Sequence, residues 1–168
     1  TFKPYNFQVT DLEKLRKNNY TGLLAVDVGG GKSISSLLAV EDSGANQTLI
    51  IAPQSTHMSA WNADAQLSIG EEVRVIGNSN KKQRTALADF EWNKPGIYVV
   101  TPQLFTRADI SMWTPDMLIV DEIHTLGRPG SKGQRKLSGY GSRDNPISLQ
   151  SGMKLALSGT PARNNFER

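Results

Sequence analysis

The chain has 168 residues, of which 38% are hydrophobic, and a formal net charge of +3. This size and composition predict one globular α/β domain over residues 1–168. The absence of cysteine excludes disulfides and thiolate metal sites. No apolar run approaches membrane-spanning length, so no membrane partner is expected, and the charge is too small to demonstrate a polyanionic partner. A cytoplasmic location, or a nuclear one in a eukaryote, is the default expectation.

Apolar runs alternate with segments of helical periodicity along the chain. An amphipathic helix is expected over 9–19 and a strand over 23–26, and helical spacing of apolar residues resumes after residue 33. Further strands are predicted at 48–52, 73–76, 97–100, 117–120 and 154–157, with helical segments near 58–65 and 81–90. Buried strands separated by helices predict a mostly parallel, doubly wound sheet with helices on both faces.

A glycine-rich loop joins the first predicted strand to the helix that follows it. The loop consists of Gly29, Gly30, Gly31, Lys32 and Ser33. It has the short form G-x-G-K-S, because Val26 occupies the place of the first glycine in the full phosphate-loop pattern. Such a loop presents backbone N–H groups to phosphate, while the lysine reaches the outer phosphates and the serine hydroxyl can bind Mg²⁺. The alternative is a glycine-rich turn before an ordinary helix.

Two carboxylates follow the predicted strand at 117–120. Because the carboxyl ends of parallel strands meet at one edge of a sheet, Asp121 and Glu122 are expected close to the glycine-rich loop. Asp121 can hold Mg²⁺, and Glu122 can orient and deprotonate an attacking water. The alternative is a capped loop with incidental acids. Together with the loop, the pair predicts metal-assisted hydrolysis of a phosphoanhydride.

A basic, glycine-rich segment lies between Thr125 and Asn145. Its basic residues are Arg128, Lys132, Arg135, Lys136 and Arg143, against the single acid Asp144. Segments of this composition serve equally as solvated connectors and as loops that contact nucleic acid, and both interpretations stay open.

Three motifs stand in the order and spacing of motifs I, II and III of superfamily 2 helicases: G-G-G-K-S at 29–33, D-E-I-H at 121–124 and S-G-T-P at 158–161. Within that superfamily the chain resembles the N-terminal RecA-like lobe of SWI/SNF-type DNA translocases. Residues 155–165 are similar to their LTGTPxxN segment, and F-K-P-Y at 2–5 resembles their opening motif. The chain departs from the family pattern at Ser33 and Ser158, where Thr is commoner, and at Asn6, where the opening motif has Gln.

The resemblance implies an ATP site with bound Mg²⁺. Gly29 to Lys32 would hold the phosphates, Ser33 and Asp121 would hold Mg²⁺, and Glu122 would be the general base. Gln8, two residues beyond Asn6, is preferred as the residue that contacts adenine. His124 would link motif II to motif III, where Ser158 and Thr160 would transmit the nucleotide state.

The resemblance also implies contacts with the sugar-phosphate backbone of DNA. The residues concerned are Pro53, Gln54 and Ser55 after one strand and Thr101 and Pro102 after another. Hydroxyls and helix N-termini suit such contacts, although proline is common after strands in any case. Trp61 is predicted to pack in the core.

The predicted function is that of the motor lobe of an ATP-dependent DNA helicase or translocase. An RNA helicase lobe and a nucleotide-binding switch or scaffold without motor activity are the alternatives. A motor requires a second RecA-like lobe in cis, expected beyond residue 168, with arginines that reach the nucleotide.

Overall fold

The computed structural model describes residues 2–25, 31–53, 58–76, 94–107, 115–122 and 152–158. The strands are β1 (Gly22–Ala25), β2 (Gln47–Ile51), β3 (Val73–Val75), β4 (Gly96–Val100), β5 (Met117–Val120) and β6 (Met153–Ser158). The helices are α1 (Asn6–Lys17), α2 (Lys32–Ser43), α3 (Met58–Ser68) and α4 (Pro102–Arg107). None of the helices in these ranges is both long and apolar enough to cross a bilayer.

The six strands form one sheet in the order β1-β6-β5-β2-β4-β3, and every neighbouring pair is parallel. Parallel neighbours require crossover connections, and among the described residues α2 lies between β1 and β2 in the chain and α3 lies between β2 and β3. The predicted parallel α/β sheet is therefore confirmed.

The central strands are buried along their whole length. All four residues of β5 are buried, and so are the last four residues of both β2 and β4. Strands covered on both faces read as continuous apolar runs rather than alternating ones, which is why these segments were recognisable in the sequence. Trp61 is 1% exposed, as predicted for a core residue.

Helix α2 packs against both α1 and α3 and is delimited by two glycines. Gly31 precedes it with φ of +73° and Gly44 follows it with φ of +70°. This left-handed conformation costs glycine little, whereas a β-carbon would crowd the backbone. The bounds of α2 are thus set by backbone freedom at its two ends.

The observed elements differ from the predicted ones mainly at their ends. Helix α1 begins at Asn6 rather than residue 9, because Gln8 Oε1 accepts a 2.9 Å hydrogen bond from the Tyr5 backbone N–H and so supports an earlier first turn. The short helix α4 was not predicted; its first turn is supported by Thr101 Oγ1, which accepts a hydrogen bond from the Leu104 N–H. The predicted helix at 81–90 and the basic segment at 125–145 lie outside the described residues.

Candidate active site

The strand order brings together the strands that lead into the three motifs. Strand β6, which leads into motif III, lies between β1, which leads into motif I, and β5, which leads into motif II. Ala25 pairs with Ser158, and Val120 pairs with Ala156. All three strands are parallel, so their carboxyl ends open into the same crevice, where ligands of α/β sheets bind.

The centre of the site is an ion cluster that joins α2 to the end of β5. Lys32 Nζ lies 2.6 Å from Glu122 Oε1 and 3.1 Å from Asp121 Oδ1. The exposed fractions of the three side chains are 18% for Lys32, 3% for Asp121 and 24% for Glu122. Two residues far apart in the sequence from Lys32 thus meet it at the crevice, as their positions after parallel strands predict.

The surroundings of Lys32 hold it firmly in the charged form. Its burial alone lowers the pKa, but the hydrogen bond to Glu122 and the charge of Asp121 outweigh that effect, so the pKa of Lys32 lies above its ordinary value. The ammonium group is therefore a permanent positive charge at the end of the glycine-rich loop.

Asp121 is fixed by the sheet itself. Its backbone N–H donates a 2.8 Å hydrogen bond to the Ile51 carbonyl, which extends the β5–β2 ladder by one residue. Among the described residues its buried Oδ1 has no aligned hydrogen-bond donor, and Lys32 Nζ lies 3.1 Å away from it. A buried carboxylate oxygen without a donor is rare and marks a position where a cation can bind.

Glu122 has an unusual backbone conformation. Its φ of +52° lies in the left-handed region, which disfavours residues with a β-carbon. Strained residues of this kind persist where the surrounding structure imposes them, and they cluster at functional sites. This left-handed residue carries the carboxylate that contacts Lys32.

Ser33 takes part in a contact that the sequence analysis did not foresee. Its hydroxyl donates a 2.6 Å hydrogen bond to Asp64 Oδ2 on α3. Asp64 belongs to none of the motifs. The one sequence signal that could have found it is its place beside Ala65 and three residues after Trp61, which puts an acid on the buried side of an otherwise apolar helix face.

Gln8 lies against the glycine-rich loop. It is 2% exposed, and a β-carbon added at Gly31 would approach its Nε2 to 2.9 Å. Its Oε1 accepts the Tyr5 N–H, so its amide N–H₂ group is the end that faces the loop. Asn6, the other candidate for this position, is exposed.

Other predicted residues fall into two groups. In the first group, Thr101 is 3% exposed and caps α4, Pro102 is buried, Pro53 is partly buried, and Gln103 beside them is exposed; the contact of these residues with DNA stays a prediction. The second group lies outside the described residues or has no described side chain, and comprises Gly29, Gly30, Gln54, Ser55, His124, Ser158 and Thr160. Their roles stay predictions.

Comparison with known proteins identifies the family. A family model described as DEAD/DEAH box helicase matches residues 7–168. Among curated proteins, Helicase SWR1 of Candida albicans is 28% identical over 179 residues, which cover 99% of this chain. The chain spans 10% of that protein's length.

Two solved structures share the fold. The Sulfolobus solfataricus SWI2/SNF2 ATPase core in complex with dsDNA has a TM-score of 0.74 at 20% identity and aligns with 98% of this chain and 35% of its own. A nuclease-deletion mutant of the Type ISP restriction-modification enzyme LlaGI was solved in complex with a DNA substrate mimic. It has a TM-score of 0.61 at 20% identity, and the alignment covers 95% of this chain and 18% of the enzyme's chain. The RecA-like fold and the superfamily 2 resemblance are confirmed, and the chain belongs to the DEAD/DEAH box helicase family.

Proposed function

We propose that this chain is the ATP-binding motor lobe of a DNA translocase or helicase, which hydrolyses ATP with Mg²⁺ to move along DNA. The observation that carries the proposal is the contact of Lys32 with Asp121 and Glu122. It joins the phosphate-binding side chain of motif I to the two carboxylates of motif II at the carboxyl edge of the sheet. ATP hydrolysis requires all three groups within reach of one phosphate chain.

The residues present fit Mg²⁺. The cation prefers oxygen ligands and is usually held by one or two carboxylates together with substrate phosphates and water. Asp121 offers a buried oxygen to which no hydrogen bond is directed from the part of the chain that the structure describes, and Ser33 offers a hydroxyl at the start of α2. When bound, Mg²⁺ would neutralise charge on the phosphates.

Three side chains of the chain account for phosphate binding, activation of water and contact with adenine in our proposal. Lys32 carries a permanent charge and three N–H donors, so it can bind phosphate oxygens while it stays near Asp121. Glu122 is more exposed than Asp121, so it can meet a water molecule, orient it and accept its proton. Gln8 presents its amide N–H₂ group to the loop, where it can donate to a purine ring nitrogen.

DNA is the favoured track because both structural neighbours were solved with DNA or a DNA mimic. A second RecA-like lobe in cis completes the motor in our proposal, because the charge that develops on the transferring phosphoryl group requires a cation on its far side. Such an arginine accelerates turnover by about 10³ to 10⁵. The 168-residue chain alone should therefore bind ATP but hydrolyse it slowly.

Nucleotide binding is tested by titration calorimetry with ATP and Mg²⁺. Lys32→Ala should weaken binding by about 100-fold, because it removes charge-assisted hydrogen bonds and leaves two carboxylates facing the phosphates. Arg16→Ala, which removes a cation from an ion pair on α1, is the matched control and should bind as the wild type does. Unchanged affinity in Lys32→Ala would contradict the proposal.

Motor activity is tested in the full protein by measuring ATP hydrolysis with and without duplex DNA, single-stranded DNA and RNA. DNA should stimulate turnover, and Glu122→Gln should abolish it while ATP binding persists. Stimulation by RNA alone would replace the DNA motor with an RNA helicase. Nucleotide binding without stimulated hydrolysis by any polymer would favour a switch or scaffold.

A further inference from the structure

The contact between Ser33 and Asp64 links the first turn of α2 to the middle of α3. The Oγ to Oδ2 distance of 2.6 Å is in the range of hydrogen bonds from a hydroxyl to an ionised carboxylate, and the pair is partly buried. Such bonds are about twice as strong as those between neutral groups. Asp64 therefore determines where the Ser33 proton points.

That direction matters for the chemistry of the hydroxyl. A serine hydroxyl has one proton and two lone pairs, and a metal ion binds to a lone pair. With the proton donated to Asp64, both lone pairs remain for a cation, and the negative carboxylate increases the electron density on Oγ. Groups that bind a metal commonly donate a hydrogen bond to an outer carboxylate in this way.

Helix α3 is a rigid support for the Asp64 carboxylate. Trp61 and Ala65 are 1% and 0% exposed and anchor the helix in the core. Asn62 Oδ1 accepts a 3.0 Å hydrogen bond from the Val73 N–H, which ties α3 to β3. A carboxylate on so fixed an element can hold a ligand group within the tolerance that a metal site requires.

We propose that Asp64 is a positioning residue for metal-nucleotide binding: it holds the Ser33 hydroxyl with its proton directed at α3 and its lone pairs available to Mg²⁺. This inference rests on the proposed function. Asp64 does not touch the nucleotide in this scheme and acts only through Ser33. The alternative is that the contact merely fastens α2 to α3.

The test uses the full chain, Mg²⁺ and a fluorescent ADP analogue. The affinity for the analogue is measured in EDTA and across a Mg²⁺ titration. The titration gives the Mg²⁺ concentration at which half of the increase in affinity is reached. Asp64→Ala should raise that concentration by about tenfold or more, whereas affinity in EDTA should stay within about twofold. Asp64→Asn, which keeps an oxygen acceptor but loses the charge, should give an intermediate value and covers the case in which the alanine variant misfolds.

Two controls test whether Asp64 affects Mg²⁺ binding through the Ser33 hydroxyl. Glu72→Gln removes an exposed carboxylate just after α3 and should leave the Mg²⁺ titration unchanged. In a Ser33→Ala background, Asp64→Ala should cause no further loss, because residues that act as one unit are not additive.

The outcomes separate the inference from the proposed function. If both Asp64 variants bound the analogue with unchanged Mg²⁺ dependence, the inference would be wrong, and the Ser33–Asp64 contact would serve only to hold α2 against α3. An equal loss with and without Ser33 would also overturn the inference, since Asp64 would then act independently of the hydroxyl. If the wild type bound the analogue without any gain from Mg²⁺, the proposed metal-dependent function would fail together with the inference.

Discussion

Two clusters of charged side chains in this fold differ in their environment and in how completely their groups are paired. On the outside, Arg16 of α1 makes a two-pronged contact with Asp42 of α2, with both N–O distances at 2.6 Å, and Tyr20 donates a third hydrogen bond to the same carboxylate. At the sheet edge, Lys32 faces Asp121 and Glu122. We refer to these as the outer cluster and the edge cluster.

The clusters differ in charge balance and in completeness. The outer cluster pairs one cation with one anion and both carboxylate oxygens accept hydrogen bonds. Among the described residues, the edge cluster brings one ammonium group to two carboxylates, includes a buried Asp121 oxygen without an aligned hydrogen-bond donor, and has a left-handed residue at Glu122. These departures agree with the proposed role of the edge cluster in binding Mg²⁺ and phosphate.

The largest expected effect follows from the excess negative charge. Lys32→Ala removes the cation that contacts both Asp121 and Glu122 and should lower the free energy of unfolding by about 1 to 3 kcal/mol, a range reduced from that of fully buried pairs because Lys32 and Glu122 are partly exposed. Asp121→Asn leaves one cation facing one anion and should be close to neutral or stabilising. Urea unfolding at neutral pH measures both.

An equal decrease in the free energy of unfolding in Lys32→Ala and Asp121→Asn would contradict the view that Lys32 balances the charge of the two carboxylates. Raising the salt concentration provides an internal control, because screening should reduce the cost of Lys32→Ala by weakening the repulsion between the two carboxylates.

A smaller effect concerns the backbone at Glu122. Glu122→Gly and Glu122→Ala both remove the ion pair, but glycine tolerates φ of +52° whereas alanine does not. The glycine variant should be more stable than the alanine variant by about 1 kcal/mol. Thermal or urea unfolding of the two proteins gives the difference directly.

The outer cluster supplies the opposite control. Asp42 lies in α2, where glycine is less favourable than alanine, so Asp42→Gly should be the less stable member of that pair. If alanine were preferred at both positions, the strain assigned to Glu122 would be absent.

Local patterns account for what the sequence predicted well. The apolar run of β5 and the Lys32-Ser33 pair after three glycines are contiguous signals, and parallel pairing then requires their ends to meet. The end of α2 at Gly44 is also a local feature, because the left-handed cap there favours glycine.

Individual side-chain contacts, some local and some between distant segments, account for what the sequence did not predict. The early start of α1 depends on Gln8 supporting a turn that Tyr5 begins, and tyrosine is not a usual helix cap. Asp64 meets Ser33 only because α2 packs against α3, and nothing in the spacing of the two residues specifies that packing. The strain at Glu122 likewise arises from its surroundings rather than from its own preference.

The smallest effect is expected in the outer cluster, where acid should act through Asp42. The hydrogen bond from Arg16 holds the pKa of Asp42 below its ordinary value of 3.8. A carboxyl group whose pKa is lower in the folded state stabilises the fold above the unfolded-state pKa and loses that contribution as the pH falls through the folded-state pKa. Because the pair is exposed to solvent, Asp42→Asn should lower the melting temperature by only about 1 to 3 °C at pH 7. The difference from the wild type should persist at pH 5 and shrink below pH 3.8, as both proteins then carry an uncharged group at this position. Calorimetric melting of the two proteins across that range measures it, and a difference that stayed constant into acid would show that Asp42 acts through packing rather than charge.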